Sequence, residues 1–265
     1  MPHLKLMPGP NTYDGLQYSR QSIADGKSGI AHSFDDMGLL DNPILNSLET
    51  DHAKWAMVEG AARRYPADVG PLSGMPDQSL AHYGALRRLA GPDGILGLFF
   101  QAPPAPPQGW SLVRGGLLTQ MVATSPEIEQ VAPPPFNTVF RPLTVADVPA
   151  MLELTELTEP GPFRKRTFEL GKFYGAFESD RLVSMAGQRM SLPGFIEVSA
   201  VCTHPDARGR GYARILMSTV MHDIVQRGRR PFLHAFADNP AIRLYKSLGF
   251  VQRRTFHLAV LKNEA

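Results

Sequence analysis

The chain has 265 residues, 43% of them hydrophobic, and a formal net charge of +2, which allows one large core or two small ones. Its single cysteine excludes an intrachain disulfide framework and fits a reducing cytoplasm. No apolar run approaches the ~20 residues of a membrane span, and the first thirty residues lack a signal-peptide core.

The charge is uneven along the chain. Residues 1–138 carry 9 basic against 13 acidic side chains, and residues 139–265 carry 18 against 12. A mildly basic second half suits an anionic cofactor, whereas nucleic-acid binding calls for a stronger basic patch. The eight histidines show no metal-ligand spacing, and one cysteine cannot build a zinc site. We therefore expect no nucleic acid, membrane or metal as a partner.

The first half contains few clear signals. Residues 1–38, rich in Gly, Pro, Asp and Ser, indicate an irregular arm. Small residues between Ala53 and Ala61 follow a helical spacing that ends at Pro66, so a helix is predicted there.

Strand-like segments follow this region. Residues 95–100 and 110–113 are apolar enough for two strands, and the proline-rich stretch 103–107 between them predicts a long hairpin loop. Gly115 and Gly116 then predict a turn before a further strand over 117–122.

Three consecutive prolines in the stretch 131–136 predict a stiff, extended domain boundary. The resulting division is an arm over 1–38, an accessory domain over 39–132, a linker over 133–138 and a catalytic domain over 139–265. No glycine-rich cofactor loop occurs in the accessory part.

A glycine-rich junction between a strand and a helix is the strongest local signal. Residues 196–203 alternate between two faces as a strand does, and apolar residues from Ala213 to Val225 recur at helical spacing before Gly228. Between them lies 208–213, Arg-Gly-Arg-Gly-Tyr-Ala. A helix N-terminus offers unpaired N–H groups and a positive dipole end, so this junction suits a phosphate-bearing ligand.

Glycine-rich junctions of other kinds do not match this one. A Walker loop would end in Gly-Lys-Ser/Thr, and the dinucleotide fingerprint has a different glycine spacing. An RNA-binding Arg-Gly tract would be repeated within a disordered segment. A plain strand-to-helix turn on the surface is the remaining alternative.

Two segments resemble the signatures of the GNAT superfamily of N-acetyltransferases. Arg208, Gly211 and Ala213 fit its Arg/Gln-x-x-Gly-x-Gly/Ala motif. The stretch 239–250 is similar to its Asn-x-x-Ala-x-x-Leu-Tyr-x-x-x-Gly-Phe signature, with one residue fewer between Asn239 and Ala241. The resemblance spans roughly residues 139–265.

A narrower resemblance reaches most of the chain beyond about residue 38. Stretches 41–43, 62–66, 154–163 and 199–205 are similar to two-part bacterial GNAT proteins of the glycine N-acyltransferase-like branch. The resemblance implies an α/β (α+β) fold. A C-terminal GNAT fold, with a mixed, mostly antiparallel sheet flanked by helices, would follow a degenerate GNAT-like α/β domain.

The resemblance also implies acetyl-CoA (CoA) as the cofactor. Backbone groups of the strand before the loop would pair with the pantetheine arm, and N–H groups of the loop would hold the pyrophosphate. Asn239 would cap the next helix and touch the pantetheine. The expected cofactor-binding residues are Val201, Cys202, Thr203, Arg208, Gly209, Arg210, Gly211, Tyr212, Ala213, Arg214 and Asn239.

Acyl transfer to an amine of pKa ~10.4 requires that a base or water take its proton. Glu197 lies where several GNAT enzymes carry a glutamate base, and its alternative is a glutamate on a solvated strand face. Tyr245 is the candidate acid for the leaving thiolate, since a phenol of pKa ~10 stays protonated at neutral pH. Its alternative is a core aromatic on an apolar stripe.

A covalent route through Cys202 would use His204 as its base, but a lone buried cysteine is usually inert. For the acceptor, Phe163 is a candidate pocket wall and Arg189 a candidate partner for an acceptor carboxylate. The basic trio 164–166 is a third candidate, and its alternative is a solvated loop.

The leading hypothesis is an acetyl-CoA-dependent N-acetyltransferase that acts by direct transfer on a primary amine of a small molecule or peptide. One alternative is an enzyme with a longer acyl-CoA donor. Another is a non-catalytic CoA-binding sensor or interaction protein. A homodimer is left open.

Overall fold

The computed structural model of the protein describes residues 34–124 and 138–264. The predicted arm over 1–38 and linker over 133–138 therefore lie outside the described residues, except for their last few positions. Thr138, the last linker residue, opens a strand.

The described residues form five α-helices and eleven strands, with short 3₁₀ turns between them. The helices are α1 (Pro43–Glu49), α2 (Leu80–Ala90), α3 (Val148–Thr158), α4 (Tyr212–Gln226) and α5 (Ile242–Ser247). The strands are β1 (Met57–Glu59), β2 (Ala62–Arg64), β3 (Ser73–Gly74), β4 (Ile95–Phe100), β5 (Trp110–Ala123), β6 (Thr138–Pro142), β7 (Phe173–Glu178), β8 (Arg181–Leu192), β9 (Phe195–Thr203), β10 (Arg230–Phe236) and β11 (Phe250–Asn263).

Eight of these strands make one sheet in the order β4-β11-β5-β10-β9-β8-β7-β6, and β1, β2 and β3 make a small second sheet. The β9–β10 pair is parallel, and the other neighbours in the large sheet are antiparallel. This mixed, mostly antiparallel sheet confirms the expected fold class. Strands from the predicted accessory and catalytic parts alternate in it, since β5 lies between β10 and β11.

Helices cover both faces of the sheet. Ile196, Met121 and Leu233 pack with α4 in one cluster. Their sequence neighbours Phe195, Val122 and Phe232 point to the opposite face and pack with α1 in another. Successive side chains of a strand alternate between faces, so one hydrophobic layer forms on each side. On the α1 side, α3 packs over β8 and β9.

Two elements predicted in the first half are wrong. Residues 53–61 form a 3₁₀ turn followed by β1, and Gly60 turns the chain into β2 at φ +51°. Small residues fit this tight turn as well as they fit a helix face. The proline-rich stretch 103–107 does not close a hairpin, because β11 lies between β4 and β5.

The turn predicted at Gly115 and Gly116 is also wrong, because β5 continues through both glycines. A Cβ on Gly116 would lie 2.9 Å from the Phe236 ring. The glycine therefore serves close side-chain packing against β10. The strands predicted over 95–100 and 196–203, and the helix after residue 212, are confirmed.

No described helix combines the length and apolar character needed to cross a membrane.

Candidate cofactor and active site

The two parallel strands β9 and β10 separate after a short contact. Their ladder comprises the pairs Phe195–Arg230, Ile196–Pro231 and Glu197–Phe232. Beyond Glu197, β9 continues alongside β8, whereas beyond Phe232, β10 continues alongside β5. A wedge-shaped gap therefore opens between β9 and β10 towards the end of β9 at Thr203.

A β-bulge lies on β9 inside this gap. Ala200 adopts φ +51°, and the β8–β9 register shifts next to it. Before the bulge Val198 packs on the α4 side, and after it Val201 does, so the alternation of side chains changes by one residue. Bulges bend a strand away from its neighbour, and this one bends β9 where the gap widens.

The loop after β9 contains a row of backbone donors that no described residue accepts from. Gly209 and Gly211 adopt φ +78° and +82°, and a Cβ on either would meet nothing within 4 Å. Among the described residues, no acceptor bonds the N–H groups from Gly209 through Arg214; the first bond of α4 runs from Ile215 N–H to the Gly211 carbonyl at 3.2 Å. These donors and the helix dipole favour an anion.

A pocket of about 260 Å³ lies at this loop. Its lining combines the end of β9, the loop, the first turn of α4 and one residue of α5: Thr203, Ala207, Arg208, Gly209, Arg210, Gly211, Tyr212, Ala213, Arg214 and Leu244. Eight of the eleven predicted cofactor-binding residues are thus brought together around one concave surface.

The three arginines of the loop have different partners. Arg210 Nη1 lies 2.5 Å from Glu178 Oε1, and Arg210 Nη2 donates to the Asp206 carbonyl at 2.8 Å. Arg214 Nη2 donates to Ser247 Oγ at 2.7 Å, which links α4 to α5. Arg208 makes one long contact, from Nε to the Thr203 carbonyl at 3.3 Å. Arg208 and Arg214 face no carboxylate among the described residues, so their charges are available to an anion.

Tyr212 connects the loop to β7 through its hydroxyl group. Its ring is buried, and its hydroxyl donates to Glu178 Oε1 at 2.5 Å. The same carboxylate is paired with Arg210. Hydrogen bonds from both groups keep the pKa of Glu178 below its ordinary value, so the carboxylate stays charged and holds the loop to β7.

The other predicted cofactor residues lie along the gap and beyond it. Val201 is half-buried on β9, whereas the Cys202 thiol is buried on the α3 side, where burial raises its pKa to about 12. A thiol with this pKa stays protonated at neutral pH, which argues against the acyl-cysteine route. Asn239 Oδ1 accepts from Ala241 N–H at 2.9 Å and caps the turn that leads into α5.

Tyr245 lies on α5 with its ring in the core beside Phe250, at 6.5 Å between ring centroids. Its hydroxyl makes no hydrogen bond to any residue in 34–124 or 138–264, and burial raises the pKa of Tyr245 to about 12. The buried ring fits the core interpretation, and the phenol stays protonated at neutral pH, so the acid role stays a prediction.

Glu197 has surroundings that do not suit a base. Its side chain is 1% exposed. Arg189 donates to it through Nε at 2.7 Å and Nη2 at 2.8 Å, and His234 Nδ1 lies 2.8 Å from Oε1. Burial alone would raise the pKa of Glu197, but the ion pair with Arg189 and the bond with His234 outweigh it and lower the pKa to about 2. So weak and so enclosed a base argues against direct proton removal from an amine.

The residues predicted to bind the acceptor are not among those that line the pocket at the loop. Phe163 is buried edge-to-face against Phe173 at 5.7 Å. Arg189 is engaged by Glu197 but also borders a narrow pocket together with Tyr65 and Pro162. Arg164 and Lys165 are exposed, and Arg166 pairs with Asp68 and Glu169. The basic trio thus behaves mostly as a solvated surface.

The described residues contain no group of His, Cys, Asp and Glu side chains arranged to hold a metal ion.

Comparisons with known proteins agree with this geometry. The FR47-like protein family model matches residues 173–258, which include the gap, the loop and α5. The crystal structure of a GNAT-family protein from Novosphingobium aromaticivorans is 37% identical, with a TM-score of 0.77, and the match covers 85% of this chain and 99% of that one.

The chain belongs to the GNAT family of acetyltransferases.

More distant GNAT structures share the fold. A GCN5-related N-acetyltransferase from Kribbella flavida is 17% identical with a TM-score of 0.54, over 79% of this chain and 89% of that one. A tandem GNAT protein from the clavulanic acid biosynthesis pathway is 13% identical with a TM-score of 0.51, over 78% of this chain and 85% of that one. No curated protein sequence matches the chain.

Sequence reasoning missed three residues of this GNAT site. Leu244 lines the pocket, Glu178 anchors the loop, and His234 bonds Glu197. His234 had one signal in the sequence, because it is the lone polar residue inside the otherwise apolar stretch 231–237. Its partner on another strand could not be deduced from that signal.

Proposed function

We propose that the protein is an N-acetyltransferase that moves an acetyl group from acetyl-CoA to a primary amine of a small molecule or peptide by direct transfer. The observation that carries the proposal is the row of N–H groups from Gly209 to Arg214 that are unpaired within 34–124 and 138–264. They lie in a pocket of about 260 Å³ where the β9–β10 gap opens. A pyrophosphate at the loop would direct a pantetheine arm into the gap, where strand backbone can pair with its amides.

The residues present fit this donor. Gly209 and Gly211 carry no side chain between the loop and the anion, and Arg208 and Arg214 supply positive charge. Acetyl-CoA supplies the acyl group as a thioester. The proposed pantetheine contacts are the backbone groups of Val201, Cys202 and Thr203.

Proton transfers are assigned from the pKa values and burial. Tyr245 is proposed to hold a proton for the departing sulfur, since its phenol stays neutral below about pH 12. We propose that water takes the proton from the amine, because the Glu197 carboxylate is enclosed and already accepts three hydrogen bonds. A cytoplasmic location is kept as part of the proposal, supported by Cys202 as a single, free thiol.

Calorimetric titration with acetyl-CoA tests the proposal. The native protein should bind saturably, and Gly211→Glu should lose binding because it places bulk and negative charge in the pocket. Gly194→Glu is the matched control: Gly194 has φ +81° against +82° at Gly211, and a Cβ there also meets nothing within 4 Å. It imposes the same strain and charge in the β8–β9 turn, outside the pocket lining, and should bind as the native protein does.

An amine screen that detects thiol release from acetyl-CoA would follow, with longer acyl-CoA donors in parallel. If the native protein shows no binding at high acetyl-CoA concentration, or if both glycine variants lose binding equally, the proposed cofactor site is wrong. Binding without turnover of any amine would favour a CoA-binding sensor.

A further inference from the structure

Three ionisable side chains meet in the interior of the sheet, on three neighbouring strands. Arg189 on β8 and His234 on β10 both bond Glu197 on β9, and the three side chains are 12%, 2% and 1% exposed respectively. Buried charges are costly to desolvate, and they occur where geometry and hydrogen bonding compensate for the loss of water. The acid–base chemistry proposed above uses none of the three, so their placement needs another cause.

The hydrogen bonds of neighbouring groups fix the protonation of His234. Gln120 Oε1 accepts from Arg253 Nη1 at 2.9 Å, so the amide nitrogen of Gln120 faces Leu40 and His234. An amide nitrogen only donates, so His234 Nε2, at 3.1 Å, must accept. The ring proton therefore lies on Nδ1 and is donated to Glu197, and burial, which lowers the pKa of His234, keeps the ring neutral.

These contacts continue as one row across the sheet. Arg253 Nη2 donates to Asp41 Oδ1 at 2.5 Å, so the row ends in the first described turn of the chain. It crosses β8, β9, β10, β5 and β11 in their spatial order. We name this row the polar belt; its members are Arg189, Glu197, His234, Gln120, Arg253 and Asp41.

The belt crosses the sheet where β9 and β10 begin to separate. Glu197 and Phe232 form the final pair of the ladder, and His234 is the next residue of β10 on the same face as Phe232. The bond from His234 to Glu197 thus joins the two strands diagonally, one step beyond the last ladder pair. Beyond this bond, each strand is held by its outer neighbour.

We propose that Glu197 and His234 form a clamp that fixes the point at which β9 and β10 separate, and that they thereby position the gap that receives the pantetheine arm. Glu197 and His234 are positioning residues in this assignment. Beyond the clamp, the polar belt continues through Gln120 on β5 and Arg253 on β11 to Asp41. This inference rests on the proposed function.

Substitutions at His234 test the clamp. His234→Phe keeps a ring of similar size among Phe99, Phe232 and Phe256, whose centroids lie 4.9–5.7 Å away, but it removes both nitrogens. His234→Asn keeps an N–H close to the place of Nδ1 and can still donate to Glu197. Asp41→Asn is the control, because it weakens the far end of the belt, away from the gap.

The readouts are the Kd for acetyl-CoA from calorimetry and the melting temperature of each variant. We expect His234→Phe to raise the Kd about tenfold or more. The Kd of His234→Asn should stay within about threefold of the native value. The Kd of Asp41→Asn should stay within about twofold, even if the melting temperature of Asp41→Asn falls as much as that of His234→Phe. Should His234→Phe fail to fold, Gln120→Met replaces it, because it removes the donor to Nε2 and should weaken binding by an intermediate factor.

An unchanged Kd in His234→Phe, or in Gln120→Met where that variant replaces it, overturns the clamp and leaves the proposed function intact. The clamp is also overturned if affinity falls in proportion to melting temperature in both the His234 variants and Asp41→Asn. Such a result would mean that the variants act only through the general stability of the protein. If the native protein does not bind acetyl-CoA, the proposed function fails and the clamp fails with it.

Discussion

The glycine-rich loop over 209–214 and the polar belt both contain two arginines, but the polar groups of the loop and of the belt differ in how fully they are hydrogen-bonded. From Gly209 to Arg214 the loop leaves its backbone donors without acceptors among the described residues, at the surface of a pocket. In the belt, Glu197 accepts three hydrogen bonds and His234 uses both ring nitrogens, out of reach of solvent.

This difference in hydrogen bonding distinguishes a surface that can bind a ligand from a cluster that can only position strands. Unpaired donors are tolerated where water satisfies them, and a ligand can later take the place of that water. Saturated groups in the interior have no capacity left for a ligand, but they hold strands in one arrangement. This contrast explains why Glu197, which the family resemblance marks as a base, is better understood as part of the scaffold.

The largest expected effect is at Glu197. Glu197→Gln should lower the free energy of unfolding by about 3–5 kcal/mol, because it leaves the buried Arg189 guanidinium without a compensating charge. Urea denaturation measures the change. Adding Arg189→Met should restore much of the loss, and a double variant no more stable than Glu197→Gln would contradict the proposed pairing.

The same ion pair predicts how stability depends on pH. The pKa of Glu197 is about 2 in the folded protein against 4.5 for an ordinary glutamate, so its contribution is complete above pH 4.5 and is lost as the pH falls towards 2. Urea denaturation between pH 6 and 3 should show a smaller loss of stability in Glu197→Gln than in the native protein.

An intermediate effect is expected at Tyr245. Its ring is buried in the core, and its hydroxyl makes no hydrogen bond to a described residue. Tyr245→Phe should reduce kcat about a hundredfold, or about 2.7 kcal/mol in the barrier, by removing the proton for the leaving sulfur. Steady-state kinetics with an amine found in the screen measure this.

Tyr83→Phe is the matched control, since it removes a buried tyrosine hydroxyl in α2 and should leave kcat unchanged. Because the pKa of Tyr245 is raised to about 12, the native enzyme should show no loss of kcat from deprotonation of this acid up to pH 10. A full native rate in Tyr245→Phe would refute the acid role.

The smallest expected effect is that of alanine substitutions at two glycines, which test how closely the loop approaches the ligand. Gly211→Ala and Gly194→Ala should each lose about 1–2 kcal/mol of stability, because alanine is strained at positive φ. Thermal or urea unfolding should give similar values for the two. Only Gly211→Ala should weaken acetyl-CoA binding, by a few-fold, since Gly211 is among the residues that line the pocket. Equal affinities of the two variants would show that the loop does not approach the ligand closely.

Prediction from sequence worked where the signal is local. The pattern over 196–203 and the helical spacing after residue 212 place β9 and α4 correctly, but the bulge at Ala200 exchanges the two faces predicted for the end of β9. The helix predicted over 53–61 was wrong because small residues fit both a helix and a tight turn. The hairpin predicted around 103–107 was wrong because β11, which is distant in sequence, lies between β4 and β5. Most of the pocket lining comes from one contiguous loop, so the sequence could bring these residues together, and their binding of a cofactor stays a prediction.

The sequence by itself determined the glycine-rich loop, because glycines at positive φ and a helix start are properties of neighbouring residues. Only the tertiary structure decided the surroundings of Glu197. Its partners lie 8 and 37 residues away, and Gln120 lies 114 residues from His234. Sheet order brings these side chains together, and hydrophobic packing of whole strands sets that order, which no local pattern encodes.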